Sequence, residues 1–428
     1  MKKFRLFIAA AVLSIMSAVP AFSSEVTVLR FTGVINPVAA EYLGGTIAKV
    51  NGEKSADLIV IMLDTPGGLD TSMRMIVKEI MASAIPVALY VAPSGSRAAS
   101  AGTFIAMAAH ISAMAPGTSQ GSAHPVSMGE KMDETMNKKV ENDAAAYIKS
   151  LAVERGRNAE WAETAVRASV SLGERDALKQ KVTDIVAKDL DDLLRQANGR
   201  TVKIGTAEKT LTLDAPRYAY IDMTRRQRIL DTISDPTVAY ILLMLGFYGL
   251  FFELANPGVI LPGVVGGICL IFGFYSMQSL PVNYAAILLL LLGVIMFVAE
   301  LFVASHGALT VGGVVSIVLG GLMLIDAPAD YMRVQISAVI LIAAAMGGLF
   351  FAVVGYGIFF KPRKVSTGVE GLIGLEGVTL SELNPNGQVE IDGEIWNAHS
   401  SGGSVAKGER ITVLRKDAGT LVVEKKRP

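Results

Sequence analysis

Cysteine is almost missing from this sequence: the 428 residues hold one, Cys269, so no disulfide framework and no cysteine-built metal site can form within a single chain. Histidine is nearly as rare. The 4 histidines are His110, His124, His306 and His399, scattered and without a ligand cluster around them, so neither a metal nor an organic cofactor is indicated. Charged residues make up 18% of the chain, and the 39 basic residues are balanced by 39 acidic ones. A chain with no basic surplus is not built for nucleic acid, and one with no acidic surplus is not built for a cationic partner. What fills the space is apolar: 51% of residues are hydrophobic, unevenly spread, which argues against one uniform soluble domain.

The first residues carry Lys2, Lys3 and Arg5, then an apolar run over 6–19, then small residues ending in Ala21, Ser23 and Ser24. A run of about 14 residues is short for a bilayer span of roughly 20, so 1–23 reads as a secretory signal peptide, and the domain beginning at residue 24 as exported. From residue 24 to about 200 short apolar strands (26–31, 58–63, 87–91, 111–115) alternate with helical patterns (72–83, 98–109), and a long amphipathic helix covers 136–155. Such alternation predicts an α/β domain with parallel strands. A polar segment, 201–236, links it to five apolar stretches at about 238–254, 258–277, 284–304, 308–325 and 334–360, a transmembrane region over 237–360. A cleaved leader and five crossings put the C-terminus in the cytoplasm, in agreement with Lys361, Arg363 and Lys364 after the last span, although Arg225, Arg226 and Arg228 before the first one disagree. Within the region Gly246 leads to Glu253 and then Gly258, and Gly293 leads to Glu300 and then Gly307, with the same seven-residue step from Gly to Glu, the mark of a duplicated two-helix unit. The last segment, 365–428, has several short strands broken by turns such as Asn384-Pro385-Asn386-Gly387 and Asp392-Gly393, which predicts a small all-β barrel of the OB type.

Three features of the first domain bear on catalysis. Asp64-Thr65-Pro66-Gly67-Gly68 directly follows a predicted strand, and paired glycines there let backbone N–H groups approach a substrate carbonyl. Ser94-Gly95-Ser96-Arg97-Ala98-Ala99-Ser100-Ala101-Gly102-Thr103 joins a strand to an apolar helix. Ser100, at the helix mouth, is the nucleophile candidate, because a helix N-terminus stabilises negative charge beside it. A serine needs a base, and two are on offer: Lys139 at the start of the long helix, which can act only if burial makes its neutral form accessible, and His124, 24 residues after Ser100.

Taken together with Ala115-Pro116-Gly117-Thr118 and the run 139–158, these stretches resemble the NfeD family of membrane proteases nearly end to end. The first domain of that family is similar to the Clp-peptidase and signal-peptide-peptidase-A group. The resemblance implies a Clp/crotonase-like fold of ββα repeats, a catalytic dyad of Ser100 and Lys139, and an oxyanion hole made by the amides of Gly68 and Ala101. His124 stands one residue out of step with the place of the Clp histidine, and a different local register would bring Lys138 or Lys131 to that of the lysine. The implied activity is that of a membrane-anchored serine endopeptidase cutting hydrophobic peptide segments without a cofactor. Self-association, contact with membrane lipid and a stomatin/prohibitin-like (SPFH) partner are also implied, in the cytoplasmic membrane with the protease domain outside. The rival expectation is a non-catalytic membrane scaffold for such a partner, since one fold hosts many chemistries.

Overall fold

The structure is a computed structural model that describes residues 23–126, 133–255, 258–277, 280–303, 305–327, 332–359, 369–417 and 419–426. The leader sequence up to residue 22, Lys131, and the basic residues Lys361, Arg363 and Lys364 lie outside the described residues. The chain divides into two units, 1–351 and 352–428.

The first unit opens with β1 (Glu25–Thr32), α1 (Pro37–Glu53), β2 (Leu58–Asp64), α2 (Asp70–Ala82), β3 (Val87–Val91), β4 (Arg97–Ala99), α3 (Ala101–Ala108), β5 (Ile111–Met114) and β6 (Ser119–Gly121). It continues with α4 (Glu134–Glu154), α5 (Ala159–Arg167), β7 (Ser171–Gly173), α6 (Glu174–Lys179), β8 (Ile185–Val186), α7 (Leu190–Ala197), β9 (Thr201–Ile204), β10 (Ala207–Thr210), β11 (Arg217–Ile221) and α8 (Arg225–Ile233). Six strands form a parallel sheet in the order β11–β1–β2–β3–β5–β8. The near-continuous apolar runs of β2 and β3 suit strands covered on both faces. Leu29, Ile59, Ile61, Leu63 and Leu89 face one buried cluster, and Val28, Val60, Ala88 and Tyr90 face the other, as the two-residue period of a strand requires.

A second, three-stranded sheet stands beside the first in the order β4–β6–β7. Its strands follow those of the main sheet in sequence, so that β3–β4–α3 and β5–β6–α4 are ββα units of the kind expected. The helix expected over 98–109 begins three residues later, because residues 97–99 are taken up as β4 by pairing with β6. The segment expected to link the first domain to the membrane carries β9, β10, β11 and α8. β11 pairs in parallel with β1 at the sheet edge, where the Tyr42 hydroxyl donates to the Ile221 carbonyl at 2.6 Å and Arg30 pairs with Asp222 at 3.1 Å. Its side chains are partly or largely exposed, so it lacks the apolar run that marked the central strands.

Five apolar helices follow: α9 (Pro236–Ala255), α10 (Leu261–Met277), α11 (Tyr284–Phe302), α12 (Ala308–Met323) and α13 (Ile336–Phe359). Pro236–Leu254 is long and apolar enough to cross a membrane, and the shorter apolar helical stretches are Leu261–Met277, Tyr284–Glu300, Ala308–Met323 and Ile336–Leu349. The duplication read from sequence is a duplication in space. α9 packs on α10 where a Cβ on Gly249 would stand 2.8 Å from the Cα of Gly266, and α11 packs on α12 where a Cβ on Gly293 would stand 3.0 Å from the Gly313 carbonyl. Small residues are what allow such close backbone approach. Each hairpin ends on its carboxylate: Glu300 accepts from the amides of Gly307 and Thr310, both at 2.9 Å, and Glu253 from that of Gly258 at 3.4 Å. At the opposite end, Val282 bridges Ile325, and the Gln335 amide donates to Thr237 Oγ1 at 3.2 Å, which gathers two interhelical loops beside the start of α9.

The second unit is a closed barrel of β12 (Glu376–Thr379), β13 (Asn386–Ile391), β14 (Glu394–Ser400), β15 (Arg410–Asp417) and β16 (Thr420–Lys425), in the order β12–β13–β14–β16–β15. Asp392 and Gly393, both with positive φ, turn β13 into β14, as a two-residue hairpin demands. Val389, Ile391, Ala398, Ile411, Val413, Leu421 and Val423 fill its interior. The three-part architecture read from the sequence, α/β sheet, helical bundle and small barrel, is present.

Candidate active site

The loop after β2 is shaped by its own residues. Thr65 Oγ1 accepts from the Gly67 amide at 3.1 Å and donates to the Gly67 carbonyl at 3.0 Å, while Gly67 takes a φ of +129° that an L side chain would strain. Gly68 lies against the backbone of Ile35, close enough that a Cβ would stand 2.3 Å from the Ile35 carbonyl oxygen. The Ile35 amide donates to the Gly67 carbonyl at 2.8 Å and the Leu69 amide to the Ile35 carbonyl at 2.9 Å. This ladder uses the groups on either side of Gly68 and leaves the Gly68 N–H out of the backbone pairing among the described residues.

Ser100 is held in an unusual backbone conformation, φ +52° and ψ −116°. Two hydrogen bonds fix it: its amide donates to the Gly121 carbonyl at 3.0 Å, and its carbonyl accepts from the Thr103 amide at 2.9 Å. Strain of this kind persists only where the surroundings impose it. Ser100 caps α3, all of whose residues are buried, and the Ala101 amide, in the first turn, has no intrahelical carbonyl to reach. The helix therefore ends with free donors and positive dipole at the serine.

Lys139 stands on α4, whose start is capped by Asp133 Oδ1 accepting from the Met136 amide at 2.8 Å. Gly68, Ser100, Ala101 and Lys139 all line one cavity of about 540 Å³, together with Phe104, Met136 and Met332. The structure thus brings together the four residues that the sequence singled out. It does not bury the lysine: Lys139 is exposed in the single chain and makes no ion pair among the described residues. Neighbouring Lys138 pairs with Glu134 at 2.7 Å and does not line the cavity. His124 stays apart as well, its Nδ1 2.9 Å from the Val166 carbonyl at the end of α5.

Sequence reasoning missed an ionic bridge in the same cleft. Arg74 of α2 pairs with Asp70 at 2.8 Å and with Asp143 of α4 at 2.5 Å, and lies 4.4 Å from the centre of the Tyr147 ring. The two carboxylates raise its pKa against the opposing effect of burial. Asp143 stands one helical turn beyond Lys139, a spacing that was visible, but its partner is fixed only by folding. Among the described residues no group of His, Cys, Asp or Glu is arranged to hold a metal ion.

Three family models match successive parts of the chain: an NfeD1b N-terminal domain over 25–206, an NfeD integral membrane domain over 237–356, and an NfeD-like C-terminal, partner-binding domain over 369–425. A membrane-bound protease of Pyrococcus horikoshii is 36% identical over 88% of both chains. The membrane protein NfeD1b of Bacillus subtilis is 28% identical, over 86% of this chain and 85% of that one. A solved structure of a membrane protease specific for a stomatin homolog from Pyrococcus horikoshii is 35% identical, covering 50% of this chain and all of that one, with a TM-score of 0.44. The succession of the three domains and the relative matched along nearly its whole length show that this chain belongs to the NfeD family of membrane proteins.

Proposed function

We propose that the chain is a membrane-anchored serine endopeptidase in which Ser100 is the nucleophile and Lys139 the general base. The observation that carries this reading is the shared cavity of Ser100, Lys139, Gly68 and Ala101. The Ser100 hydroxyl attacks the scissile carbonyl as its proton passes to the neutral Lys139 amine, and the amides of Gly68 and Ala101 hold the tetrahedral oxyanion. Collapse expels the leaving amine, which takes the proton from the lysine. The acyl-enzyme is then hydrolysed by a water that the same amine activates. Because Lys139 is exposed in the single chain, the desolvation that favours a neutral amine has to come from bound peptide or from a neighbouring copy. In the second case self-association becomes part of the mechanism.

Apolar lining by Phe104, Met136 and Val140 supports hydrophobic peptide as the substrate. The partner-binding description of the C-terminal domain and the stomatin specificity of the Pyrococcus protease support a stomatin-like membrane partner. The apolar helices support a multi-pass membrane protein in contact with lipid, and the leader expected at 1–23 supports the cytoplasmic membrane with the peptidase domain outside.

The test is acylation by a fluorophosphonate probe together with cleavage of an apolar peptide. Ser100→Ala is expected to abolish both, and Lys139→Ala to slow both by at least about 10³-fold. Retention of partner-dependent function by Ser100→Ala, with no labelling of the parent chain, would instead mark a scaffold.

A further inference from the structure

The cavity that holds Ser100 has a neighbour. A second cavity of about 370 Å³ adjoins it, with Val34, Leu69, Val238, Leu280 and Met332 among its walls. Among the described residues Leu69 and Met332 line both cavities, and they are the sole residues to do so. The wall between the two spaces is therefore one residue from the oxyanion-hole glycine on one side, and one residue from the membrane region on the other.

Each side of that wall is anchored. The Leu69 amide is bonded to the Ile35 carbonyl at 2.9 Å, which places the leucine side chain on the Gly68 ladder. Met332 is buried, and its loop is held by Arg333 Nε donating to the Ala327 carbonyl at 2.6 Å and by the Gln335 bond to Thr237. Val238, Leu280 and Met332 come from the start of α9, the α10–α11 loop and the α12–α13 loop, which meet at one end of the bundle. The polar groups of the second cavity are engaged locally: Asn36 Nδ2 donates to Asp231 Oδ1 at 2.8 Å, the hydroxyls of Thr232 and Ser234 donate to the carbonyls of Arg228 and Leu230, and Asp235 Oδ1 accepts from the amides of Thr237 and Val238, leaving the apolar side chains to define what fits. At about 300 Å³ and above, a cavity is large enough to engulf a small organic group.

We infer that this second cavity is a substrate subsite supplied by the membrane region, and that it takes an apolar side chain of the peptide bound at Ser100, with Leu69 and Met332 as its selecting wall. The inference rests on the peptidase reading. The two cavities adjoin at Leu69 and Met332, so a side chain of the peptide bound at Ser100 that reaches past these two residues is the occupant. A polar side chain there would lose its water against Val34, Val238, Leu280 and Met332, while Asn36, Asp231, Thr232, Ser234 and Asp235 of the lining already hold partners of their own.

The test uses the full chain in lipid nanodiscs, with Ser100→Ala in the background so that peptide is bound and not consumed. Fluorescence anisotropy gives Kd for a labelled Leu- and Val-rich peptide and for a serine-substituted version of it. Met332→Ser and Leu280→Ser are each expected to weaken the apolar peptide about ten-fold, about 1.4 kcal/mol, and the serine peptide less than two-fold. Met332→Leu should restore the parent Kd to within two-fold. Unchanged affinity in both serine variants, equal loss for both peptides, or failure of the parent to bind the apolar peptide would overturn the subsite. The peptidase reading fails separately, if the chain with Ser100 intact neither takes the fluorophosphonate probe nor cleaves the peptide while these binding differences hold.

Discussion

Arg157 is a buried charge that braces the far end of the helix beginning at Ser100. Its side chain is 1% exposed, and Nη1 donates to the carbonyls of Ala106 and Met107 at 3.0 and 2.9 Å, the last turn of the helix whose first turn meets Ser100. Asp184 balances the charge at 2.5 Å and accepts in turn from the Ser112 amide at 2.8 Å. Arg157→Met would leave two helix carbonyls without partners and the Asp184 carboxylate without its balancing charge, held by the Ser112 amide alone, so a loss of about 3–5 kcal/mol in stability is expected, read from the denaturant midpoint. His110, also buried, accepts a hydrogen bond from the Val87 amide at its Nδ1, 3.1 Å away. Burial, with Arg155 and Arg157 adding their repulsion, lowers its pKa from 6.5 to about 3. Below pH 6.5 the unfolded chain takes up a proton that the folded chain refuses, so this site withdraws stability as pH falls from 6.5 to about 3 and has no effect above. The slope is at most about 1.4 kcal/mol per pH unit. Urea titrations of the parent and of His110→Gln across that interval should diverge, the variant losing less. None of these partnerships was legible in the chain order, because Arg157 and Asp184 are brought together by the sheet.

At the level of elements, legibility followed the length and purity of each pattern. The apolar runs of β2 and β3 and the amphipathic α4 are long enough for one period to dominate. α1 escaped notice although Asn36 caps it, the Ala39 amide donating to Asn36 Oδ1 at 2.8 Å, with Pro37 in its first turn. Two glycines, Gly44 and Gly45, and a weak apolar stripe hide its period. β4, β6 and β7 are three residues each, too short to carry any period, and exist because they pair with one another. In the bundle the glycines separate into two kinds. A side chain on Gly266 would come within 2.7 Å of the Leu250 amide nitrogen, whereas one on Gly267 meets nothing within 4 Å. Gly266→Val is thus expected to open the α9–α10 hairpin and cost about 1–3 kcal/mol, and Gly267→Ala to be neutral or slightly stabilising. Thermal unfolding in detergent, followed by light scattering or circular dichroism, distinguishes the two.

On the scale of the whole molecule, the barrel has its own core and closes on itself through β12 and β15. A fragment of residues 365–428 should therefore fold alone, with a dispersed amide spectrum and one cooperative thermal transition; broad collapsed signals would show that it needs the rest of the chain. The amino-acid sequence by itself determined the apolar helices, the strand-rich tail, and the residue types of the cleft, because these are local properties of composition and period. Only the tertiary structure decided that Gly68, Ser100, Ala101 and Lys139 share one cavity, that Lys139 is left exposed there, and that Met332 reaches it from the membrane region. Those are matters of distance between residues far apart in the chain, and such distances are set by which faces pack, a choice that long-range burial makes and local pattern does not.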